Sequence, residues 1–277
     1  MMLRGAVVTL LAAAALGVPA PAAARPADPD SHWFPRAAAA PVLRRAAVPV
    51  TVMSFNACGG VCRRGEIRRT AAGIVGTAAS HRASVILLQE LCHAQFTAVR
   101  KSLPGWSGRF AAQTTTKGCG RDRRFGVAVL TRGKLSGATV ERLPTTAGSE
   151  ARLLLGATAV IGGRRTFVAV VHLSPSADEG RQAQLAAVAR HLRPRERSPM
   201  IVGGDFNSMP ANPGLRSFYG SMTELDRTKA PTFDLHRRKI DYIFVSPGWF
   251  SGPRARSLPT TLSDHRVYLG TTHVTGG

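Results

Sequence analysis

Short apolar segments, rich in β-branched residues and each bordered by a polar residue, restrict the fold of this chain more than any other feature. Segments of this kind form buried β-strands, because branched side chains pack well on a pleated surface. The polar residues fall where strands meet loops, where the backbone fixes the root of a side chain and its tip stays accessible. They are Asn56, Glu90, His172, Asp205, Asn207, Asp241, Asp264 and His265. Several carboxylates together with two histidines indicate a metal-assisted hydrolytic site.

Helical periodicity separates some of these strands. Strands are predicted at residues 50–55, 85–89, 125–130, 138–143, 152–161, 166–172, 200–204, 240–245 and 267–273, and helices at 66–79, 94–103 and 178–192. No repeat of fixed period is present. An α+β arrangement, in which two sheets are covered by outer helices, is the simplest way to bury these elements.

The N-terminal part of the chain differs in composition from the rest. Residues 1–24 resemble an export signal: Arg4 precedes an apolar stretch too short to span a bilayer, and small residues follow it. A buried N-terminal helix is the alternative. Residues 25–48, rich in Ala, Pro and Arg, are predicted to be a disordered linker or pro-segment. We expect residues 49–277 to form one catalytic domain, secreted, monomeric and without a stable membrane anchor.

The four cysteines are Cys58, Cys62, Cys92 and Cys119. An exported chain folds in an oxidising compartment, where three disulfide pairings of four cysteines are available. Bridges Cys58–Cys62 and Cys92–Cys119 are favoured, since the first two lie in one short loop. A zinc site is the alternative, although the Cys-x3-Cys spacing has no second matching pair.

The chain is strongly basic. Of its net charge of +21, +3 lies in residues 1–48 and +18 in the rest. A basic surface attracts nucleic acid through its phosphates, and Arg121, Arg123 and Arg124 are candidate substrate-binding residues. The segment 237–239 (Arg-Arg-Lys) is a second basic cluster. Biased composition is the competing explanation, because Arg outnumbers Lys 32 to 5 and either cluster could be a solvated loop.

Two local motifs carry chemical information. In Gly203-Gly204-Asp205-Phe206-Asn207, the glycines are expected to permit a tight turn, and Asp205 and Asn207 to project to one side of an extended strand. A carboxylate beside an amide can hold a water and donate to a phosphoryl oxygen. In Ser263-Asp264-His265 the histidine is a candidate base, with Asp241 as its orienting carboxylate. Glu90 ends an apolar strand, where a cation would compensate its burial.

These residues, in this order, resemble the endonuclease/exonuclease/phosphatase superfamily, which includes the deoxyribonuclease I-like nucleases. The resemblance runs through residues 54–56 (Ser-Phe-Asn), 88–90 (Leu-Gln-Glu), 126–130 (Gly-Val-Ala-Val-Leu), 171–175 (Val-His-Leu-Ser-Pro), 204–207 (Gly-Asp-Phe-Asn), 240–243 (Ile-Asp-Tyr-Ile) and 263–265 (Ser-Asp-His). It covers residues 50–274.

The resemblance implies a four-layered α/β/β/α sandwich with two central mixed β-sheets and the active site at one end. It implies phosphoester hydrolysis with Mg2+, Mn2+ or Ca2+. Glu90 would ligate the metal with Asn56 nearby, and Asp264 would join the metal or its hydrogen-bond network. Asp205 would activate water, Asn207 would steady the transition state, His265 would act as base or phosphate binder, and His172 would protonate the leaving oxygen or bind phosphate.

The resemblance leaves the orientation of His172 open. In deoxyribonuclease I-like members a glutamate partners this histidine, and no equivalent is found before Gly126, although Asp122 lies in roughly the right region. Arg181 and Gln184 recur in the superfamily pattern, where tying a helix to a loop is the simpler role.

Three functions follow as hypotheses. The leading one is a secreted, nonspecific nuclease that cuts DNA or RNA, supported by the site and by the charge of +18. The second is a sphingomyelinase-like phospholipid phosphodiesterase or an inositol-phosphate phosphatase; the low aromatic content of 6% disfavours a membrane-inserting loop. The third is a noncatalytic basic DNA-binding protein, from which some of the site residues would be expected to be missing.

Overall fold

The structure, a computed structural model, describes residues 47–64 and 66–275. In this part of the chain two six-stranded sheets form. The first contains β1 (Val48–Asn56), β2 (Val85–Cys92), β3 (Trp106–Thr115), β4 (Arg124–Arg132), β11 (Phe250–Leu258) and β12 (Val267–Val274), in the order β11-β12-β1-β2-β4-β3. The second contains β5 (Ser136–Leu143), β6 (Arg152–Ile161), β7 (Arg164–His172), β8 (Met200–Asp205), β9 (Thr223–Glu224) and β10 (Asp241–Val245), in the order β5-β6-β7-β8-β10-β9.

The central strands carry apolar side chains on both faces of their sheet. One face of each sheet packs against the other sheet, and the opposite face is covered by helices. Val52 and Leu87 of the first sheet meet Val170 and Ile243 of the second in the central core. Four helices cover the outer faces: α1 (Ile67–Ser80), α2 (His93–Lys101), α3 (Arg181–Leu192) and α4 (Arg216–Ser221). α1 and α2 lie on the first sheet, and α3 and α4 on the second. The predicted four-layered α/β/β/α sandwich with two mixed sheets is confirmed.

The strand pairing gathers several strand ends at one edge of the sandwich. β1 and β2 run parallel, and β12 runs antiparallel to β1, so that the start of β12 lies beside the end of β1 and at the same edge of the sheet as the end of β2. In the second sheet β7 and β8 run parallel with His172 opposite Asp205. β10 runs antiparallel to β8 and places Asp241 opposite Asp205 from the other side.

Among the strands and α-helices of the described residues, four were not predicted from the sequence: β3, β9, β11 and α4. β9 spans two residues and α4 six, which is too short for a periodic signal. β3 and β11 are edge strands with mixed burial, and β11 contains Pro253, which is tolerated only where a ladder hydrogen bond is dispensable. α3 begins three residues later than expected, because Gly180 (φ 91°) closes a turn before it.

The two disulfides, Cys58–Cys62 and Cys92–Cys119, are those favoured from the sequence. The zinc alternative is wrong for these residues, because their sulfurs are bonded to one another. The predicted signal peptide lies outside the described residues, as does the linker up to residue 46, and Val48 already belongs to β1. Among the described residues, no helix is both long and apolar enough to cross a membrane.

Candidate active site

Asn56 lies at the centre of the polar cluster where the two sheets meet. Its side chain is buried, and Nδ2 lies 2.9 Å from Oε1 of Glu90 and 3.1 Å from Oδ2 of Asp205. Its Oδ1 accepts a hydrogen bond from the backbone N of Cys58 at 3.1 Å. Asn56 therefore faces the site with an amide donor that joins two carboxylates, while its oxygen is engaged in the loop behind.

Glu90 is turned into the site by an irregularity in β2. The register with β4 shifts between Leu88 and Leu91, and Glu90 has a φ of 51°, a left-handed conformation that is unfavourable for a residue with a side chain. A bulge of this kind re-aims a side chain that regular alternation would send elsewhere. Burial raises the pKa of Glu90, assisted by the negative charge of Asp264, although a hydrogen bond from Asn56 opposes the shift.

His265 and Asp241 form a buried pair. Nδ1 of His265 lies 3.0 Å from Oδ2 of Asp241, and Nε2 lies 3.6 Å from Oδ2 of Asp205. Burial alone would lower the pKa of His265, but the charges of Asp241 and Asp205 outweigh it and raise this pKa to about 10. The imidazole is therefore protonated at neutral pH, with Nε2–H directed at the centre of the site.

Asp205 is the carboxylate shared by the other groups. Burial raises its pKa to about 7, with the positive charge of His265 acting in the opposite direction. Its Oδ1 accepts a hydrogen bond from the backbone N of Asn207 at 2.8 Å. A carboxylate with a pKa near neutrality is suited to accept a proton from water at physiological pH.

Two details of the Gly203–Asn207 motif differ from the sequence-based prediction. β8 ends at Asp205, and Asn207 has a φ of 47°, so these residues approach through a turn and not through strand alternation. The glycines lie inside β8 instead of forming a turn: a Cβ on Gly204 would lie 2.0 Å from the carbonyl oxygen of Val171, and one on Gly203 would lie 2.7 Å from that of Tyr242. They permit close packing of β8 between its neighbours.

His172 is oriented by a residue that the sequence did not indicate. Nη1 of Arg152 lies 2.9 Å from Nδ1 of His172, and Nη2 of Arg152 lies 3.1 Å from Oε2 of Glu150. Burial, together with the charge of Arg152, lowers the pKa of His172 well below its usual value. His172 is therefore a neutral imidazole that accepts at Nδ1 and presents Nε2–H to Glu90 and Asp205, each 3.7 Å away.

Asp122, considered from the sequence as a partner for His172, lies elsewhere. It binds Nδ1 of His93 at 2.7 Å and Nε of Arg124 at 2.5 Å. Arg124 is thus already paired, while Arg121 and Arg123 are exposed on the same loop. The structure does not bring these three arginines into the cluster around Asn56, and they remain candidates for contact with substrate outside it.

Lys239 was grouped with a surface basic cluster, and this assignment is wrong. Only 2% of Lys239 is exposed, and its Nζ lies 2.7 Å from Oε1 of Glu224 and donates to the backbone carbonyl of Asp241. Its ammonium also lies over the ring of Tyr242. No periodic or motif signal distinguishes such a lysine from an exposed one, because the carboxylate that pairs with it, Glu224, lies in another part of the chain.

Glu90 fits the role of ligand to a hard divalent cation. Its side chain is 22% exposed, and burial together with the nearby Asp264 makes its negative charge unfavourable without further positive charge. Asp264 is exposed, and its Oδ1 lies 3.2 Å from Oγ of Ser263. Asp205, Asp241 and His265 also lie close enough to share an ion, but Nδ1 of His265 lies 3.0 Å from Oδ2 of Asp241, so these two side chains are hydrogen-bonded to each other.

A sandwich of two sheets that gathers these carboxylates, amides and histidines at one end defines a class of hydrolases acting on phosphate esters. The sequence profile of the Endonuclease/Exonuclease/phosphatase family matches residues 53–265, and the chain belongs to this family. No curated protein sequence matches the chain.

Solved structures share the fold at low sequence identity. The human nocturnin catalytic domain with bound sulfate is 20% identical, with 82% of this chain and 95% of that chain covered at a TM-score of 0.67. A Bacteroides thetaiotaomicron mannosyl-6-phosphatase is 18% identical, with 80% of this chain and 99% of that chain covered at a TM-score of 0.65. D. rerio TDP2 complexed with a single-strand DNA product is 18% identical, with 81% of this chain and 98% of that chain covered at a TM-score of 0.64.

Proposed function

We propose that this protein is a secreted, divalent-metal-dependent nuclease that hydrolyses phosphodiester bonds of DNA, and of RNA where it is accessible. The observation that carries the proposal is the contact of Asp205 with His265 and with Asn56, which itself binds Glu90. A proton acceptor, a cation and amide donors within one hydrogen-bonded cluster are what the hydrolysis of a phosphodiester requires.

Each residue has a separate task in this reaction. Asp205 accepts the proton of the attacking water, and Nε2–H of His265 donates to a phosphate oxygen on which negative charge develops. The neutral His172 donates a hydrogen bond from Nε2–H to another phosphate oxygen or to the leaving oxygen, and the side-chain amide of Asn207, held by the carbonyl of Leu173 at 2.9 Å, can donate its second hydrogen. A neutral imidazole does not release this hydrogen, so the leaving oxygen takes its proton from water, and Asp205 passes the proton that it has accepted to solvent. Mg2+, or Mn2+ or Ca2+, held by Glu90 with Asp264 nearby, would neutralise charge on the phosphate.

The choice of a nucleic acid rests on charge and on one structural relative. The chain outside residues 1–48 carries +18, which favours a polyanion over an uncharged or singly charged substrate. The D. rerio relative has a single-strand DNA product bound on the same fold. Export is proposed from residues 1–24 and is supported by two disulfides, which persist in oxidising compartments.

A plasmid-relaxation assay tests the proposal directly. The purified chain should nick supercoiled plasmid with Mg2+ and fail to do so with EDTA. His265→Ala should be inactive, whereas His273→Ala, which removes an exposed histidine on β12, the strand that follows His265, should match the wild type. If the plasmid stays intact with every metal and the protein hydrolyses sphingomyelin or inositol phosphates, the site acts on these alternative substrates and not on nucleic acid.

A further inference from the structure

A cavity of about 580 Å3 opens directly beside Asn207 and His265. Its wall combines apolar side chains with two guanidinium groups: Met209, Phe233, Leu235, Ile240, Arg181 and Arg238. Cavities of this size hold small organic groups in many proteins. None of these six residues belongs to the hydrolytic cluster, so the cavity offers a place for a part of the substrate other than the phosphate that is cleaved.

The apolar part of the wall suits a flat, weakly polar group. Leu235 is 59% exposed and Met209 is 48% exposed, although both are large apolar residues. The ring of Phe233 packs against His265 with a centroid separation of 4.7 Å. Exposed apolar side chains grouped at a cavity mark a binding surface, and aromatic or apolar walls are what unstacked bases contact in single-strand-binding proteins.

The charged part of the wall suits phosphate. Nη1 of Arg181 is held by the carbonyl of Pro175, while its Nε is buried and has no hydrogen-bond partner among the described residues. The backbone of Arg238 is paired with that of Phe233 by two hydrogen bonds of 3.0 Å, which fixes the root of its exposed side chain. Guanidinium groups bind phosphate oxygens through paired N–H donors.

We propose that this cavity binds the base of an unpaired nucleotide next to the phosphate that is cleaved, with Arg181 and Arg238 on adjoining phosphates. The inference rests on the proposed nuclease function and names its substrate as single-stranded nucleic acid. A base inside a duplex is stacked and paired, and would have to be extruded to enter the cavity. An unpaired base enters without that cost, so single strands are cut faster than duplex.

The test compares three substrates: a labelled single-stranded 12-mer, the same strand in a duplex, and bis(4-nitrophenyl) phosphate, which has no base. We expect kcat/KM for the single strand to exceed that for the duplex by about tenfold or more. Abasic nucleotides placed one at a time should slow cleavage of the adjoining bond roughly tenfold, as expected for the loss of one base contact.

A matched pair of variants locates the effect. Arg238→Ala should lower the ratio of single-strand to bis(4-nitrophenyl) phosphate hydrolysis about tenfold. Arg237→Ala removes the same charge from the neighbouring exposed residue, which does not line the cavity, and should leave that ratio within twofold.

Three results would overturn the inference, and they can be told apart. If single strand, duplex and abasic strands are cleaved equally and bis(4-nitrophenyl) phosphate is still hydrolysed, the cavity does not bind a base, but the protein is still a phosphodiesterase. Failure to hydrolyse any of the three substrates removes the nuclease function as well. Preferential hydrolysis of sphingomyelin in phosphatidylcholine vesicles would show that the cavity binds part of a lipid and not a base.

Discussion

The hydrogen bond of 3.0 Å between Oδ2 of Asp241 and Nδ1 of His265 joins the two sheets of the sandwich. Asp241 opens β10 of the second sheet, whereas His265 lies just before β12 of the first. Both side chains are buried, and Oδ1 of Asp241 has no hydrogen-bond partner among the described residues. Asp241 therefore directs Oδ2 at His265, and the position of each residue depends on how the sheets pack.

Asp241→Asn tests this relationship. The substitution keeps the shape of the side chain but removes the charge that raises the pKa of His265. We expect kcat to fall by roughly 10^2 to 10^4, the range for loss of a positioned acid or base. The pKa of His265, followed by NMR titration, should fall as well. Asp234→Asn, at an exposed carboxylate paired with Arg266, is the control, and equal kcat in the two variants would contradict the assignment.

The pH dependence of the reaction follows from the same groups. Asp205 must be deprotonated to accept a proton, and burial raises its pKa to about 7; His265 must be protonated to donate, and its pKa is raised to about 10. We expect kcat/KM for bis(4-nitrophenyl) phosphate to rise through pH 7 and to fall near pH 10. Because Asp205 and His265 interact, the apparent pKa values of the rising and falling parts of the pH profile describe the two residues together. A rate that is constant from pH 5.5 to pH 9 would exclude Asp205 as the base.

Glu90→Gln separates metal binding from folding. Because burial raises the folded-state pKa of Glu90 above its ordinary value, its ionisation destabilises the fold at pH 8 in the absence of a cation. In EDTA we therefore expect Glu90→Gln to have a Tm equal to or above that of the wild type. Addition of 10 mM Mg2+ should raise the Tm of the wild type only. An equal rise in both proteins would place the cation elsewhere.

Arg152→Met tests the group that orients His172. The substitution leaves Glu150 without its partner and should destabilise the protein by about 3 kcal/mol, the lower end for a buried pair, since Glu150 keeps 29% of its side chain exposed. The double variant Glu150→Gln, Arg152→Met should recover part of this loss, measured by urea unfolding. Arg142→Met, at an exposed position on β5, is the control. No loss in Arg152→Met would show that the pair contributes nothing to the fold.

Much of the architecture could be predicted because its signals are local. The apolar strands, the three longer helices and the two disulfides follow from side-chain pattern and loop position, and these are the elements that the structure contains. The edge strands β3 and β11 could not be predicted, since partly exposed strands lack a clear apolar pattern. Lys239 was misassigned for a related reason, because Glu224 and Tyr268, which contact its ammonium, come from the strands β9 and β12.

Local sequence patterns specify the apolar strands and the polar side chains that stand at their ends, but not the edge strands β3 and β11. Which of these polar side chains meet depends on the fold: Asn56 lies 34 residues from Glu90, 149 from Asp205 and 209 from His265 along the chain. The tertiary structure also decided that His172 is oriented by Arg152, and that Asn56 faces the site with its amide nitrogen. The physical reason is that a strand pattern fixes the side of the sheet on which a residue lies, whereas the contacts across two sheets depend on strand order, bulges and packing.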